Sequence, residues 1–317
     1  MPTYLDFEKP IAELEGKVAE LRGITAEETS EAISGEIARL EDKVERAIKD
    51  IYAKLTPWQK TQVARHPARP HFMDYVAALI SDFTPLAGDR KFAEDHAVVA
   101  GLGLFRGEPV VVMGQEKGND TESRLWHNFG MARPEGYRKA VRLMELADRF
   151  GLPVISLVDT PGAYPGVGAE ERGQAEAIAR STDCCLSLGV PNVAVIVGEG
   201  GSGGAVAIAT ASAVLMLEHA IYTVASPEAS ASILWRDSSR AVDAATHMRI
   251  TAQDLLRLGI IDEIVPEPVG GAHRNPKQAI QSTGDAIAQT LAGLRELSRE
   301  EVRKGRRKKY LDIGREA

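Results

Sequence analysis

Residues 198–205 read Gly-Glu-Gly-Gly-Ser-Gly-Gly-Ala, directly after the apolar run 193–197 and directly before a small-residue stretch of helical character, 205–209. A strand that runs into a helix leaves the first helical amides without intrahelical partners, and the helix dipole adds positive potential at the same spot. Glycine removes the side chains that would hold a ligand away from that backbone, at an entropic cost a plain turn has no reason to bear repeatedly. The chemistry on offer is therefore the stabilisation of negative charge: a phosphate, a thioester oxyanion or a urea-type oxyanion.

The same residues admit three readings. As GxGxxG through Gly198, Gly200 and Gly203, with Glu218 at the end of the next apolar run, they meet the spacing of a dinucleotide-binding turn, although several strands precede it and the helix that follows is short. As GxSxG, with Ser202 between Gly200-Gly201 and Gly203-Gly204, they offer a serine nucleophile, followed in hydrolase order by Asp237 or Asp262 and then His273. The third reading uses backbone alone. The strand ending Val158-Asp159-Thr160 opens into Pro161-Gly162-Ala163-Tyr164-Pro165-Gly166-Val167-Gly168, a second turn fixed by glycine and proline. In a parallel sheet ligands collect at such strand ends, and two turns there can present an oxyanion hole made of amides, with no catalytic side chain.

The elements that position these turns follow from periodicity. Short apolar runs at 98–104, 110–114, 154–159, 193–197, 214–217 and 261–265 predict buried strands, and segments 135–150, 170–188, 203–211 and 251–258 predict helices between them. This alternation specifies an α/β domain with helices outside the sheet. Ahead of it, Ile11, Leu14, Val18 and Leu21, then Ile37, Leu40, Val44, Ile48, Ile51 and Leu55, recur at helical spacing around a break near Gly23 and Thr25, which predicts a hairpin arm that packs or oligomerises. The expected organisation is a helical arm at 1–56, a Pro-punctuated connector at 57–97 carrying Arg65, His66 and Arg69, a core at 98–275, and a charged helical extension at 276–317.

The 317 residues are 44% hydrophobic with a net charge of −7, enough for a sizeable core and contrary to nucleic-acid binding as the main task. The basic run 303–309 reads as a solvated helix face. No apolar stretch is long enough for a membrane span and the first residues lack the features of a signal peptide, so a cytoplasmic protein is expected. The two cysteines, Cys184 and Cys185, are adjacent and the seven histidines show no ligand spacing, so no metal is expected in this chain.

Segments 55–70, 159–180, 198–205, 226–235 and 258–276, taken in order, closely resemble the carboxyltransferase alpha subunits of bacterial acetyl-CoA carboxylase, across nearly the whole chain. The resemblance implies a crotonase-like (ClpP/crotonase) spiral of ββα units. One departure is visible: where the family pattern has His-Gln-Lys-Gly, this chain has Gln115-Glu116-Lys117-Gly118, so no imidazole role is assigned at 115.

The implied reaction moves carboxylate from carboxybiotin on a carrier protein to acetyl-CoA, giving malonyl-CoA for fatty acid synthesis. Loss of CO2 places charge on the ureido oxygen, and the biotin anion then takes the thioester α-proton, so the protein needs no general base of its own. By resemblance Gly203, Gly204, Gly162 and Ala163 surround the biotin oxygen, with Gly200, Gly201, Ser202, Tyr164, Pro165 and Gly166 lining the site. The implied partners are a beta subunit bearing a zinc ribbon, in an assembly of two alpha and two beta subunits, together with biotin carboxyl carrier protein and biotin carboxylase. ATP is consumed on a partner and not here.

Overall fold

The computed structural model describes residues 3–25 and 31–315. Helices α1 (Lys9–Thr25) and α2 (Glu31–Tyr52) form the N-terminal arm. α1 runs through Gly23 to Thr25, past the break expected there, and residues 26–30 lie outside the described residues. At its base the arm buries Ile11, Ile48 and Tyr52 with Leu55 and Val63, so its apolar stripe finds cover within its own chain. The buried Glu8 carboxylate accepts from Tyr52 Oη at 2.9 Å and from Arg274 Nη2 at 3.2 Å, which ties the arm to the C-terminal half.

One eight-stranded sheet organises the rest. Its strands are β1 (Ile80–Pro85), β2 (Val98–Phe105), β3 (Glu108–Gln115), β4 (Val154–Thr160), β5 (Asn192–Gly201), β6 (Ala213–Leu217), β7 (Ile221–Thr223) and β8 (Glu263–Val265). The order is β1-β2-β3-β4-β5-β6-β8, with β7 pairing β5 beyond the end of β6. β1, β2 and β3 are antiparallel, and the pairs from β3 onward are parallel. Every residue of β4 and β5 is buried, as expected where helices cover both faces of a parallel sheet.

Between arm and sheet lie α3 (Pro57–Ala64) and α4 (Phe72–Leu79), so the proline-punctuated segment is structured throughout and adds an edge strand, β1. Thr56 starts α3 with a reciprocal cap to Gln59 and proline at the first helical position. The helices that follow are α5 (Thr121–Trp126), α6 (Pro134–Phe150), α7 (Val167–Glu171), α8 (Gln174–Ser187), α9 (Ser202–Ala209), α10 (Pro227–Trp235), α11 (Ala241–His247), α12 (Ala252–Arg257), α13 (Pro276–Arg295) and α14 (Arg299–Asp312). The helix expected at 170–188 is two helices, because Gly173 takes a left-handed φ of 80° and breaks the run. The C-terminal extension also divides, at Ser298, whose side chain caps α14. β1 is half exposed and β7 has three residues, so neither carries the apolar run that marks the other strands.

α14 fastens the far edge. Arg306, 1% exposed, donates to Leu188 O at 2.6 Å, Val190 O at 3.0 Å and Ser212 Oγ at 2.8 Å, satisfying the turn that leads into β5. Cys185 lies in the same core, its thiol pushed up to about 12 by burial, which makes it apolar filler.

Candidate functional site

The glycine segment is less of a loop than its composition suggests. β5 continues to Gly201, with Gly200 paired to Thr160 on one side and to Tyr222 on the other. A Cβ on Gly198 would lie 2.5 Å from Asp159 Oδ1, and one on Gly200 would lie 2.8 Å from the Tyr222 ring. The first three glycines therefore permit close strand packing, and the turn proper is one residue. Ser202 makes it, exposed and at a left-handed φ of 51°, and α9 starts there without a side-chain cap. The first amides of α9 have no intrahelical partner.

The second turn meets the first. A Cβ on Gly204 would fall 2.7 Å from Gly162 C and 2.8 Å from Ala163 N, so the backbones of 162–163 and 204 touch. Gly203 has more room, its nearest neighbour being Ile178 at 3.4 Å. Within the 161–163 turn, Gly162 N–H donates to Thr160 Oγ1 at 3.1 Å, whereas no acceptor among the described residues takes the Ala163 amide. Gly162 thus contributes close approach, at a φ of 148°, and not a spare donor. Tyr164 N–H donates to Ala132 O at 3.0 Å, Tyr164 O accepts from Gln174 Nε2 at 2.9 Å, and the Tyr164 ring covers Gly166 while Arg133 stacks on it at 4.8 Å. Tyr164, Pro165 and Gly166 brace this turn.

Beneath both turns lies a buried cluster of charge that no local sequence pattern announces. Lys117 Nζ contacts Asp159 Oδ1 at 2.8 Å and Glu199 Oε2 at 2.7 Å, and the Glu199 amide donates to Asp159 Oδ1 at 2.9 Å. Arg65 joins Glu199 at 2.6 Å to Glu228 at 2.6 Å, linking α3, β5 and the start of α10. His71 Nδ1 lies 3.4 Å from the other Asp159 oxygen. Burial alone would raise the Asp159 carboxyl, but Lys117 and His71 overcome it and hold the group well below the usual carboxylate range. Burial likewise opposes the Lys117 charge, and the two carboxylates restore it.

The connector residues are structural. Arg69, 3% exposed, pairs with Glu267 at 2.8 Å and donates to Val197 O at 2.7 Å, while the buried His66 stacks on His273 at 3.9 Å between ring centres. This arrangement scatters the serine-hydrolase set: His273 belongs to the base of the arm, Asp262 is held by Val214 N–H at 2.6 Å and by Lys309, and Asp237 accepts from Ser239. The dinucleotide reading fares no better, since Gly198 and Gly200 are in-strand and Glu218 accepts from Glu267 N–H at 3.2 Å. Among the described residues no group of three His, Cys, Asp or Glu is placed to hold a metal ion, and no helix is long and apolar enough to cross a membrane.

Beside Ser202 and Gly203 opens a cleft of about 520 Å³, walled by Val206, Tyr222, Val224, Met248 and Ile250. Apolar side chains line most of it, and Ser202 and Gly203 at the start of α9 border it. Val224 on its wall is 82% exposed, and on α10 Ile233 and Leu234 are 75% and 64% exposed.

Solved structures share this architecture. Transcarboxylase 12S matches with a TM-score of 0.59 at 19% identity, covering 72% of this chain and 42% of that one. The Pseudomonas malonate decarboxylase hetero-tetramer matches at 0.56 and 17% identity, over 66% of this chain and 84% of that one. The fold is accordingly the crotonase-like one of carboxyltransferases. Sequence narrows the class. Residues 4–314 match the family described as acetyl co-enzyme A carboxylase carboxyltransferase-like. The acetyl-coenzyme A carboxylase carboxyl transferase subunit alpha of Methylobacterium nodulans is 68% identical, over 99% of both chains, and that of Nitrobacter winogradskyi is 69% identical, over 99% of this chain and 98% of its own. The chain belongs to the acetyl-CoA carboxylase carboxyltransferase alpha-subunit family.

Proposed function

We propose that this chain supplies the biotin-side half of a site that transfers carboxylate from carboxybiotin to acetyl-CoA. The observation that carries the reading is the backbone contact between 162–163 and 204, which brings the Ala163 amide beside the uncapped first turn of α9, where Ser202 and Gly203 border an apolar cleft. Such a site fits a ligand with an apolar body and one oxygen that gains charge. Amides fixed by two strand ends need no reorganisation as that charge develops.

Biotin, when bound, supplies the carboxyl group and, once decarboxylated, the base. The chain does the rest of the work on this side. Gly203, Gly204 and Ala163 direct donors at the ureido oxygen, and Gly162 lets the turns approach. Gly200 and Gly201 hold β5 in register, Ser202 turns the chain into α9, and Tyr164, Pro165 and Gly166 fix the opposing turn. Val206, Tyr222 and Met248 exclude water from the cleft. No side chain acts as a general base.

The exposed Val224, Ile233 and Leu234 support a partner that completes the site by holding the thioester. That partner is the zinc-ribbon beta subunit in a two-alpha, two-beta assembly. Biotin carboxyl carrier protein delivers the ligand, and biotin carboxylase consumes the ATP, both in the cytoplasm. The core proposed to bear the site is 98–275, with the arm at 1–56, the connector at 57–97 and the extension at 276–317 as its supports. Malonyl-CoA decarboxylation with free biotin, measured with and without the beta partner, tests the reading. Activity is expected only in the complex, and turnover by this chain alone overturns the half-site.

A further inference from the structure

Gln115 stands at the end of β3, 1% exposed, with one amide group facing two different elements. Its Oε1 accepts from Asp159 N–H at 3.2 Å, and its Nε2 donates to Gly204 O at 3.1 Å. The partners fix which end is which, because the flipped amide would set oxygen against the Gly204 carbonyl and NH2 against an N–H.

The need for this side chain is visible in the sheet. The β3–β4 ladder ends at Gly114↔Leu157, and the β4–β5 register shifts between Val158 and Thr160. The Asp159 amide thus sits at an irregularity between the two ladders. Gln115 takes that amide and, with its other end, holds the first turn of α9.

Asp159 lies three residues before Gly162, and Gly204 touches Gly162 directly. We propose that Gln115 is a positioning residue that sets the separation between the 161–163 turn and the start of α9, and that the position requires one donor and one acceptor without charge. This rests on the amide-cradle reading above. Lys117, two residues on, joins the same two strand ends by charge at Asp159 and Glu199, deeper in the cluster. Gln115 works where the amides themselves are placed.

The requirement is chemical as well as steric. A neutral imidazole also offers one donor and one acceptor and satisfies both partners, whereas an imidazolium is a donor at both ends and opposes the Asp159 N–H. Glutamine keeps the strut independent of pH. The charged groups around it are Asp159 on β4, Lys117 beyond β3, Glu199 on β5 with Arg65 behind it, and His71 at the start of α4. Burial, the Lys117 charge and the Asp159 N–H oppose protonation of an imidazole placed here, so a histidine variant titrates below its ordinary value of about 6.5.

The test uses the complex reconstituted with its beta partner, malonyl-CoA decarboxylation with free biotin, and amide hydrogen exchange of segments 159–168 and 198–205. Gln115→Leu is expected to speed exchange in both segments and to cut kcat about 10²-fold at every pH, with KM for malonyl-CoA unchanged. Gln115→His is expected to retain most turnover at alkaline pH and to lose kcat about tenfold per unit as pH falls below the imidazole pKa, while the wild type does not. Unchanged exchange in Gln115→Leu overturns the strut, as does loss of turnover in Gln115→His at alkaline pH, where the neutral imidazole should serve both partners. Faster exchange with undiminished turnover keeps the strut and instead overturns the amide cradle as the seat of the chemistry.

Discussion

The sheet end under the two turns and the base of the N-terminal arm are both built on buried charge, but the charges are arranged for different ends. Under the turns, Lys117 meets two carboxylates at 2.8 and 2.7 Å, and the ionic contacts join strand ends to one another and to the ends of α3, α4 and α10. At the arm, Glu8 and Glu15 share Arg274, and two stacked histidines stand beside them. The first cluster stays charged across ordinary pH. The second contains groups that must stay neutral. Fixing backbone geometry demands the former, while holding an appendage needs only contacts that hold under working conditions.

The sharpest way to break this comparison is Lys117→Met. It leaves Asp159 and Glu199 facing each other in a buried site, and losing one partner of such a set costs about 3–5 kcal/mol. A melting temperature lowered by roughly 2–4 °C per kcal/mol is expected, together with loss of turnover. A melt within a degree of the wild type would show the cluster to be incidental.

The next contrast lies within the turn. Gly204→Val pushes a side chain into Gly162, 2.7 Å from the first added carbon, so it should spread the turns and destabilise the fold. Gly203→Val meets only Ile178, at 3.4 Å, and should fold while crowding the amide. Loss of one oxyanion donor costs about 10²–10³ in turnover. A folded Gly203→Val complex at wild-type turnover would remove Gly203 from the site.

The arm should respond to acid before the sheet end does. Burial, with help from the neighbouring His66, pushes His273 down to about 3, and burial lowers His66 from its ordinary 6.5. Both histidines are neutral in the folded chain and charge more readily unfolded. Their stabilising effect is therefore complete above about 6.5 and is lost as pH falls toward 3, at about 1.4 kcal/mol per unit of depression. His71 and Arg69 at the sheet end face carboxylates instead. Proteolysis within 1–56 should accelerate near pH 5 while segments 159–168 and 198–205 stay protected from exchange, and His273→Phe should flatten that response. Simultaneous opening of both regions would erase the distinction.

The smallest effect belongs to Ser202→Ala. The residue supplies a left-handed turn and no proton, so turnover should change less than about twofold, well within what surface substitutions do. Abolished activity, or labelling of the wild type by a fluorophosphonate, would restore the nucleophile.

Much of this architecture is written in periodicity. The runs 98–104, 110–114, 154–159, 193–197 and 214–217 all lie within strands, because strands buried on both faces must be apolar throughout. The convergence of two glycine turns was also readable, since each follows a parallel strand. What glycine does was not: Gly198 and Gly200 serve packing and Gly203 exposure, and only the neighbours distinguish these. Arg65, Lys117, Asp159 and Glu199 form one cluster from distant points of the chain, and a lone charged residue gives no sign of its partner. Gln115 is the extreme case, a polar residue whose two hydrogen bonds lie 44 and 89 residues away.

The fastening of β5 by Arg306 has a consequence for how the chain is made. The carbonyls of Leu188 and Val190 wait for a guanidinium 118 and 116 residues further along the chain. During synthesis the turn into the central strand is therefore left with bare acceptors until α14 has been made. The arm, made first, waits for Arg274 in the same way. Closure of the sheet and docking of the arm both wait on arginines of the C-terminal half, so a product that stops short of α14 carries unpaired carbonyls at the entry to β5.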